Sequence, residues 1–332
     1  MSKEFKRKEH SDIIVHWTGR DIDANDPEMQ KTLPVNWRKH CLRQIEQPSL
    51  IKDSKIIEDY VNRLRDILKF GLWLTKDKLP EEIQKTPSCS DDDGRINETP
   101  DITRVCFTEL KLSESRQHAY EYGRLGIGLK RMFLFNRAGH PLFYISPKKG
   151  YTKPNWFSHL INNSQNDTVS NAQKSYFKYM SETEDLNYKY YSESEWRIVC
   201  PHNLDEDNAV LNSIRKYFIN VAGNINDEIK KYSGINQVQI KQTELEEFIK
   251  KNQNKSLKFL IPLDYWLAII IYPCPAVKIA AECDPEIRNL LSATRSKKID
   301  SLDYNKLAEI SKEVGEEYMM PMEIDLDTIS HF

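Results

Sequence analysis

The chain has 332 residues, with 48 lysines and arginines against 50 aspartates and glutamates, so its formal net charge is -2. Hydrophobic residues make up 39% and charged residues 30%, a composition that is typical of a soluble globular protein. This charge balance gives no support for a surface that coats nucleic acid. The length accommodates one large domain or two modest ones.

The six cysteines are scattered, with no C-x-x-C pair and no zinc-type spacing to a second cysteine or histidine. Scattered thiols favour a reducing compartment, and we expect no bound metal. The first residues, MSKEFKRKEHSD, lack the apolar core of a signal peptide. The longest apolar run, 266–272, is too short to cross a bilayer. We therefore expect a cytoplasmic protein that does not interact with a membrane.

The first predicted element is a strand at 11–19, followed by a polar, proline-containing excursion at 20–52. Apolar residues then recur at helical spacing and predict a helix at about 54–70. Gly71 stands where a helix end favours a left-handed residue, and the apolar residues 72–74 suggest a lid after it.

Residues 104–109 predict a short strand, and 113–123 a polar helix. The sequence GIGL at 126–129 lacks the third glycine of a dinucleotide fingerprint and the Gly-Lys-Ser/Thr of a P-loop. A flexible entry into a strand at 132–135 is the simpler interpretation. Residues 141–145 predict a returning strand, so this region forms either a hairpin or a strand–helix pair.

The second half alternates irregularly between predicted helices and strands. The predicted elements are helical pieces at 150–185, a strand at about 193–199, a helix-rich insertion at 205–256, strands at 257–262 and 266–272, a helix at 285–293 capped by Asp284, and a helix at 301–318. Without a steady strand–helix alternation, the pattern predicts a mixed α/β (α+β) fold rather than a doubly wound sheet or a barrel.

Two polar residues on the first strand are candidates for binding. His16 and Thr18 lie on the same strand face, because side chains alternate, and Gly19 permits close approach of a ligand to the backbone. A neutral imidazole can donate to a ribose hydroxyl without adding charge. A core histidine bonded to a backbone carbonyl is the simpler alternative for His16.

A late strand carries the candidate catalytic carboxylate, Glu195. A carboxylate beside an apolar strand is suited to hold a ribose hydroxyl and to stabilise an oxocarbenium-like transition state. Glu193 lies two residues before it and could orient a nucleophile. The alternative is an ion pair between Glu195 and Arg197, two residues further along the same face.

Further candidates stand near the middle of the chain. Tyr122 is a candidate to stack on nicotinamide, and Arg124 or Arg131 to neutralise a pyrophosphate. His118 is spaced to face the same way as Tyr122 on a helix. Glu109 is a third carboxylate at a strand end.

Taken in order, the segments IVHWTGR, LRDILKFGLWLT, VCFTEL, YGRLGIGLKRMFLF and ESEWRIV resemble the AbiGi-type family of abortive phage infection proteins. They resemble, more distantly, the DarT-type ADP-ribosyltransferases, which open with a His-x-Thr strand and place a catalytic glutamate at the head of a late strand. The resemblance covers about residues 11–200, with a closing strand at 266–272.

The resemblance implies an ADP-ribosyltransferase-like split mixed sheet with a helical insertion and a helical C-terminal tail. We assign 1–200 to the core, 201–256 to the insertion, 257–295 to the closing strands and 296–332 to the tail. It also implies NAD as substrate, with His16 and Thr18 on the NAD side and Glu195 as the catalytic glutamate. The tyrosine of a His-Tyr-Glu triad stays open among Tyr120, Tyr122 and Tyr144.

Three functions follow as hypotheses. The first is an anti-phage toxin that transfers ADP-ribose from NAD to a nucleic acid or a protein. The second is a non-catalytic antitoxin or sensor that binds a cognate partner, since the AbiGi-type members are named as antitoxins. The third is a nuclease that uses Glu109, Glu193 and Glu195 around magnesium.

Overall fold

The computed structural model describes residues 12–26, 51–76, 102–109, 115–145, 176–179, 194–201, 215–221, 223–236, 240–252, 257–263, 266–300 and 321–329. Within these ranges the strands are β1 (Ile13–Thr18), β2 (Leu72–Lys76), β3 (Ile102–Glu109), β4 (Leu125–Lys130), β5 (His140–Pro141), β6 (Phe143–Ile145), β7 (Phe177–Tyr179), β8 (Glu195–Pro201), β9 (Ile219–Asn220), β10 (Leu257–Ile261), β11 (Leu267–Tyr272) and β12 (Met322–Asp325). The helices are α1 (Arg20–Asp23), α2 (Ser54–Phe70), α3 (Ser115–Tyr122), α4 (Met132–Phe135), α5 (Ile225–Asn236), α6 (Gln242–Lys251), α7 (Pro275–Glu282), α8 (Pro285–Asp300) and α9 (Leu326–Ile329).

The chain divides into two compact units that interleave in sequence. The first unit comprises Met1–Gly71, Phe107–Phe133 and Pro262–Phe332, and the second comprises Leu72–Cys106 and Leu134–Ile261. β3 therefore contributes its first residues to the second unit and its last three to the first.

The first unit is built on a mixed sheet with strand order β12-β11-β4-β1, followed by the end of β3. β4 pairs antiparallel with β1 on one side and with β11 on the other. β12 pairs with β11 in parallel, so the connection between them, which includes α7 and α8, must return the chain to the same end of the sheet.

The glycines of β4 allow close packing in the middle of this sheet. A Cβ at Gly128 would lie 2.0 Å from Cγ2 of Ile269, and one at Gly126 would lie 2.8 Å from the Trp17 ring. Both glycines therefore allow side chains of the neighbouring strands to pack closely against β4. The prediction of a flexible entry at 126–129 is wrong, because these residues belong to the strand β4.

Helix α2 confirms the predicted helix at 54–70. The Asp53 carboxylate accepts a hydrogen bond from the backbone N–H of Lys55, which caps the helix N-terminus. Gly71 ends the helix with φ of 94°, a conformation that glycine adopts without steric cost. The buried side chains of the helix are Ile56, Tyr60, Val61, Leu64, Ile67 and Phe70.

The end of the chain closes the core of the first unit. Leu326 and Ile329 of α9 pack with Val15, Ala119 and Ile269 in one buried cluster. The tail was expected to be helical, whereas β12 adds a strand to the sheet. The prediction failed because the short segment MEID gains its backbone partners only from β11, which lies about 50 residues earlier in the chain.

The second unit contains an antiparallel run of strands in the order β9-β10-β2-β3, and β8 pairs with both β3 and β5. A separate two-stranded sheet joins β6 and β7 in parallel. Residues 72–74, expected to form a lid, belong to β2 instead, because they pair with β10. Trp73 of that strand stacks on Phe248 of α6, with ring centroids 5.7 Å apart.

The predicted strand at 132–135 is wrong, because these residues form the short helix α4. No hairpin therefore joins this segment to 141–145, and the strand–helix alternative holds. The returning residues divide between β5, which pairs with β8, and β6, which pairs with β7. Local apolar content is the same in a short helix and a strand, so the sequence alone does not separate them.

The mixed α/β class is confirmed, and the ADP-ribosyltransferase-like arrangement is not. Across the described ranges, none of the helices has the length and apolar character that a membrane crossing needs. Several predicted elements lie outside the described residues, among them the helix at 301–318 and most of the helical pieces at 150–185.

Candidate functional site

The two polar residues of β1 occupy different surroundings. His16 is half-buried opposite Ile127 of β4, and its ring meets the edge of the Phe107 ring at a centroid distance of 5.8 Å. Thr18 is buried, and its hydroxyl accepts a hydrogen bond of 3.1 Å from Nη1 of Arg63. The hydroxyl proposed for cofactor binding is thus engaged by an arginine of α2.

The turn after β1 is shaped by two glycines. Gly19 has φ of 100°, which places the chain at the start of α1. Gly123 has φ of 114°, and a Cβ there would lie 2.4 Å from the carbonyl oxygen of Thr18. The backbones at the end of β1 and the start of β4 therefore approach closely.

Arg124 lies at the centre of a buried ionic network that the sequence did not reveal. Its guanidinium is 2% exposed and contacts the carboxylates of Asp23 and Asp26, with N–O distances of 2.6 and 3.0 Å. The Tyr60 hydroxyl donates to the same oxygen of Asp23. The arginine that we expected to neutralise a pyrophosphate is paired with two aspartates of its own chain.

The surroundings of this network shift the pKa values of Asp23 and Tyr60. Burial raises the pKa of the Asp23 carboxyl, while the Arg124 guanidinium and the Tyr60 hydroxyl oppose that rise. Burial also raises the pKa of Tyr60, and the Asp23 carboxylate adds to the effect. No motif marks these residues, because they come from α1 and the loop after it, from α2, and from the position just before β4, which only the fold brings together.

Arg131 and Tyr122 also lie in the first unit. Nη2 of Arg131 lies 3.0 Å from Oε1 of Glu109, so this second candidate for phosphate binding is in an ion pair. Tyr122 is 40% exposed and stacks on His118, with ring centroids 6.3 Å apart. The prediction that His118 and Tyr122 face the same way is confirmed.

Glu195 stands at the head of β8 in the second unit, as its motif predicted. Its Oε1 accepts a hydrogen bond of 2.8 Å from Nε of Arg197, whose side chain is 5% exposed. This confirms the ion pair that the sequence left as the alternative. Ser194, just before it, has φ of 40°, so the chain enters the strand through a left-handed residue.

A half-buried thiol, that of Cys106, completes the surroundings of Glu195. Burial, and then the nearby Glu195 carboxylate, raises the pKa of the Cys106 thiol to about 12. The positive charges of Arg197 and Arg104 oppose that rise. A thiol with so high a pKa stays protonated at neutral pH, so it can donate a hydrogen bond and is a poor nucleophile.

The remaining candidates are Glu193, Tyr120 and Tyr144, and the joint site proposed for His16 and Glu195. Glu193 and the side chains of Tyr120 and Tyr144 lie outside the described residues. His16 belongs to the first unit and Glu195 to the second, so their meeting over one sugar stays a prediction. Within the described part of the chain, no three His, Cys, Asp or Glu side chains are grouped so that they could hold a metal ion.

One family model matches more than half of the chain, over residues 89–262. Its description is an abortive phage resistance protein, AbiGi, an antitoxin. The chain therefore belongs to the AbiGi family, which confirms the resemblance seen in its motifs. The more distant resemblance to DarT-type ADP-ribosyltransferases is not shown. No curated protein and no solved structure is significantly similar to the chain.

The matched range includes some of the candidate site residues and excludes others. It includes Glu195 with Arg197 and Cys106, and also Tyr122, Arg124 and Arg131. It excludes His16 and Thr18 on β1, the residues expected on the NAD side.

Proposed function

We propose that the chain is the antitoxin of an abortive phage resistance system and acts by binding and restraining a partner toxin protein. The observation that carries this proposal is the family match over residues 89–262, whose description is an antitoxin. In this function the chain needs a folded surface that its partner recognises, and it needs no catalytic group.

The candidate catalytic side chains support the same proposal through their internal contacts. Glu195 is paired with Arg197, Arg124 with Asp23 and Asp26, and Arg131 with Glu109. Each of these ionic groups already has a partner of opposite charge inside the fold. Binding an NAD phosphate at either arginine would have to compete with a carboxylate that is already in place.

The test is expression in a bacterial host, alone and together with a candidate partner toxin. We expect the chain alone to leave growth unchanged and co-expression to restore growth that the toxin arrests. The Glu195→Gln variant should restore growth as well as the wild type, provided that its folded fraction is the same. Growth arrest by the chain alone, without its partner, would contradict the antitoxin assignment.

The second candidate is an NAD-dependent ADP-ribosyltransferase that modifies a nucleic acid or a protein. It is favoured by the position of Glu195 at the head of β8 with its side chain still 13% exposed. In that reaction the carboxylate would stabilise the positive charge that develops on ribose as the bond to nicotinamide breaks.

Incubation of the wild type with labelled NAD in a cell extract separates the two candidates. The enzyme would transfer label to RNA, DNA or protein, and Glu195→Gln would lose the transfer by about 100-fold or more. The antitoxin would transfer no label in either form.

A further inference from the structure

The central strand of the first unit lies inside the family-matched segment, whereas both strands that flank it lie outside. β4 (Leu125–Lys130) is within residues 89–262. β1 (Ile13–Thr18) comes more than 70 residues before that range, and β11 (Leu267–Tyr272) begins just after it. The family segment therefore receives both sheet neighbours of one of its strands from flanking sequence.

The pairing is extensive on both sides of β4. Each residue of β4 has a partner on β1, from Ile13 opposite Lys130 to Thr18 opposite Leu125. On the other side, β11 pairs with it from Leu267 opposite Leu129 to Ile271 opposite Gly126. The first five residues of β4 are buried. Buried backbone N–H and C=O groups are costly to leave unpaired, so β4 depends on both neighbours.

The side chains of the flanking strands also fit the glycines of β4. The positions that a Cβ would occupy at Gly128 are filled by Ile269 from β11 and Ile13 from β1. At Gly126 they are filled by Trp17 from β1 and Ile271 from β11. Two glycines in one strand provide little burial by themselves, so the apolar surface around them comes from the flanks.

We infer that the AbiGi-matched segment of this protein is not a self-sufficient module, and that β1 and β11 from outside the segment complete its fold. The unit that binds a partner must then include about residues 12–26 and 266–272 together with the matched range. Tyr122 and Met132, which precede and follow β4 in the sequence, have exposed side chains. This inference does not depend on which partner is bound.

Hydrogen–deuterium exchange of the full chain tests the inference without any partner. We compare two variants that remove buried side-chain atoms from the flanking strands, Ile269→Ala in β11 and Val15→Ala in β1, with a control. The control is Ile279→Ala, also outside the matched range, at a side chain that is 59% exposed. The backbone amides of β4 should exchange roughly 30-fold faster or more in the first two variants. They should exchange at the wild-type rate in the control.

Two further measurements test the dependence of β4 on its neighbours if Ile269→Ala or Val15→Ala folds poorly. The milder Ile269→Val should raise β4 exchange by about 5-fold, while amides of β10 in the second unit report general unfolding. Exchange of β4 at the wild-type rate in Ile269→Ala, Val15→Ala and Ile269→Val would overturn the inference.

Discussion

At the scale of single residues, the candidate site is defined by ion pairs within the chain rather than by side chains left open to a ligand. Glu195 and Arg197 lie two residues apart on one strand face, so the sequence alone pointed to their contact. The buried partners of Arg124 could not be found in this way. Asp23, Asp26 and Tyr60 are separated from it by 64 to 101 positions, and no periodic pattern links them.

The first prediction concerns the charge of Glu195. Because this carboxylate contributes to the raised pKa of Cys106, Glu195→Gln should lower the pKa of the thiol and therefore the pH at which it becomes reactive toward an alkylating reagent. Burial is the larger cause, so the thiol should remain less reactive than a free cysteine. Alkylation rates measured across a pH series, with the modified peptide identified by mass spectrometry, check this.

The same variant should cost about 2 kcal/mol of unfolding free energy, because Arg197 loses its charged partner while it stays buried. The double variant Glu195→Gln/Arg197→Gln is the control, since it removes both charges. Equal unfolding free energies for the wild type and Glu195→Gln in urea titrations would show that the ion pair does not stabilise the fold.

The second prediction concerns pH. The pKa of Asp23 is raised in the folded protein, so the folded state keeps this proton when the unfolded chain has lost it. The contribution of Asp23 is therefore fully present below its usual pKa of 3.8 and declines as pH rises through the folded value. The stability of the wild type relative to Asp23→Asn should fall with rising pH across this window.

Urea unfolding at several pH values gives this difference directly. Asp21→Asn is the matched control, because Asp21 is exposed and pairs with Arg63 outside the Arg124 contacts. A difference between the wild type and Asp23→Asn that stays constant, or grows with pH, would contradict the assignment.

At the scale of secondary-structure elements, the strongest patterns were predicted well and the short apolar runs were not. The helix at 54–70 has a cap, a periodic apolar face and a terminal glycine, and all three agree. Residues 132–135 carry only an apolar composition, which suits a helical turn as well as a strand. The glycines at 126 and 128 were interpreted as flexibility, whereas in β4 they permit contact between neighbouring strands.

The third prediction tests this role of glycine. Gly128→Ala should destabilise the protein by about 1–3 kcal/mol, because the new methyl group would overlap with Ile269. Gly223→Ala is the control, since the nearest described atom to a Cβ there, Nδ2 of Asn220, would lie 3.5 Å away. Thermal unfolding of both variants provides the comparison, and an equal effect in the two would argue against close packing at β4.

At the scale of the whole molecule, segments distant in sequence complete each unit. The first unit uses three separate stretches of the chain, and its core closes only when α9 supplies Leu326 and Ile329. The expectation of a polar helical tail rested on composition. The strand β12 and the helix α9 instead place the tail within the sheet and the core.

The fourth prediction follows from this closure. A chain that ends at residue 320 should lose several kcal/mol of stability, because the truncation removes the buried side chains of Leu326 and Ile329 and the parallel partner of β11. Met322→Ala is the control within the same segment, because Met322 is 59% exposed and should cost less than about 0.5 kcal/mol. Unchanged unfolding of the shortened chain would show that the tail does not complete the core.

The sequence by itself determined the mixed α/β class, the helix α2, the strands β1, β3, β8, β10 and β11, and the family. These features depend on local periodicity, on helix caps and on the order of short motifs, and each of these signals involves residues that are close together in the sequence. Only the tertiary structure decided the partners of Arg124 and the pairing of β4 with β1 and β11. Such contacts join residues far apart in the chain, and they form because buried charges and backbone groups are stable only when the fold supplies a partner.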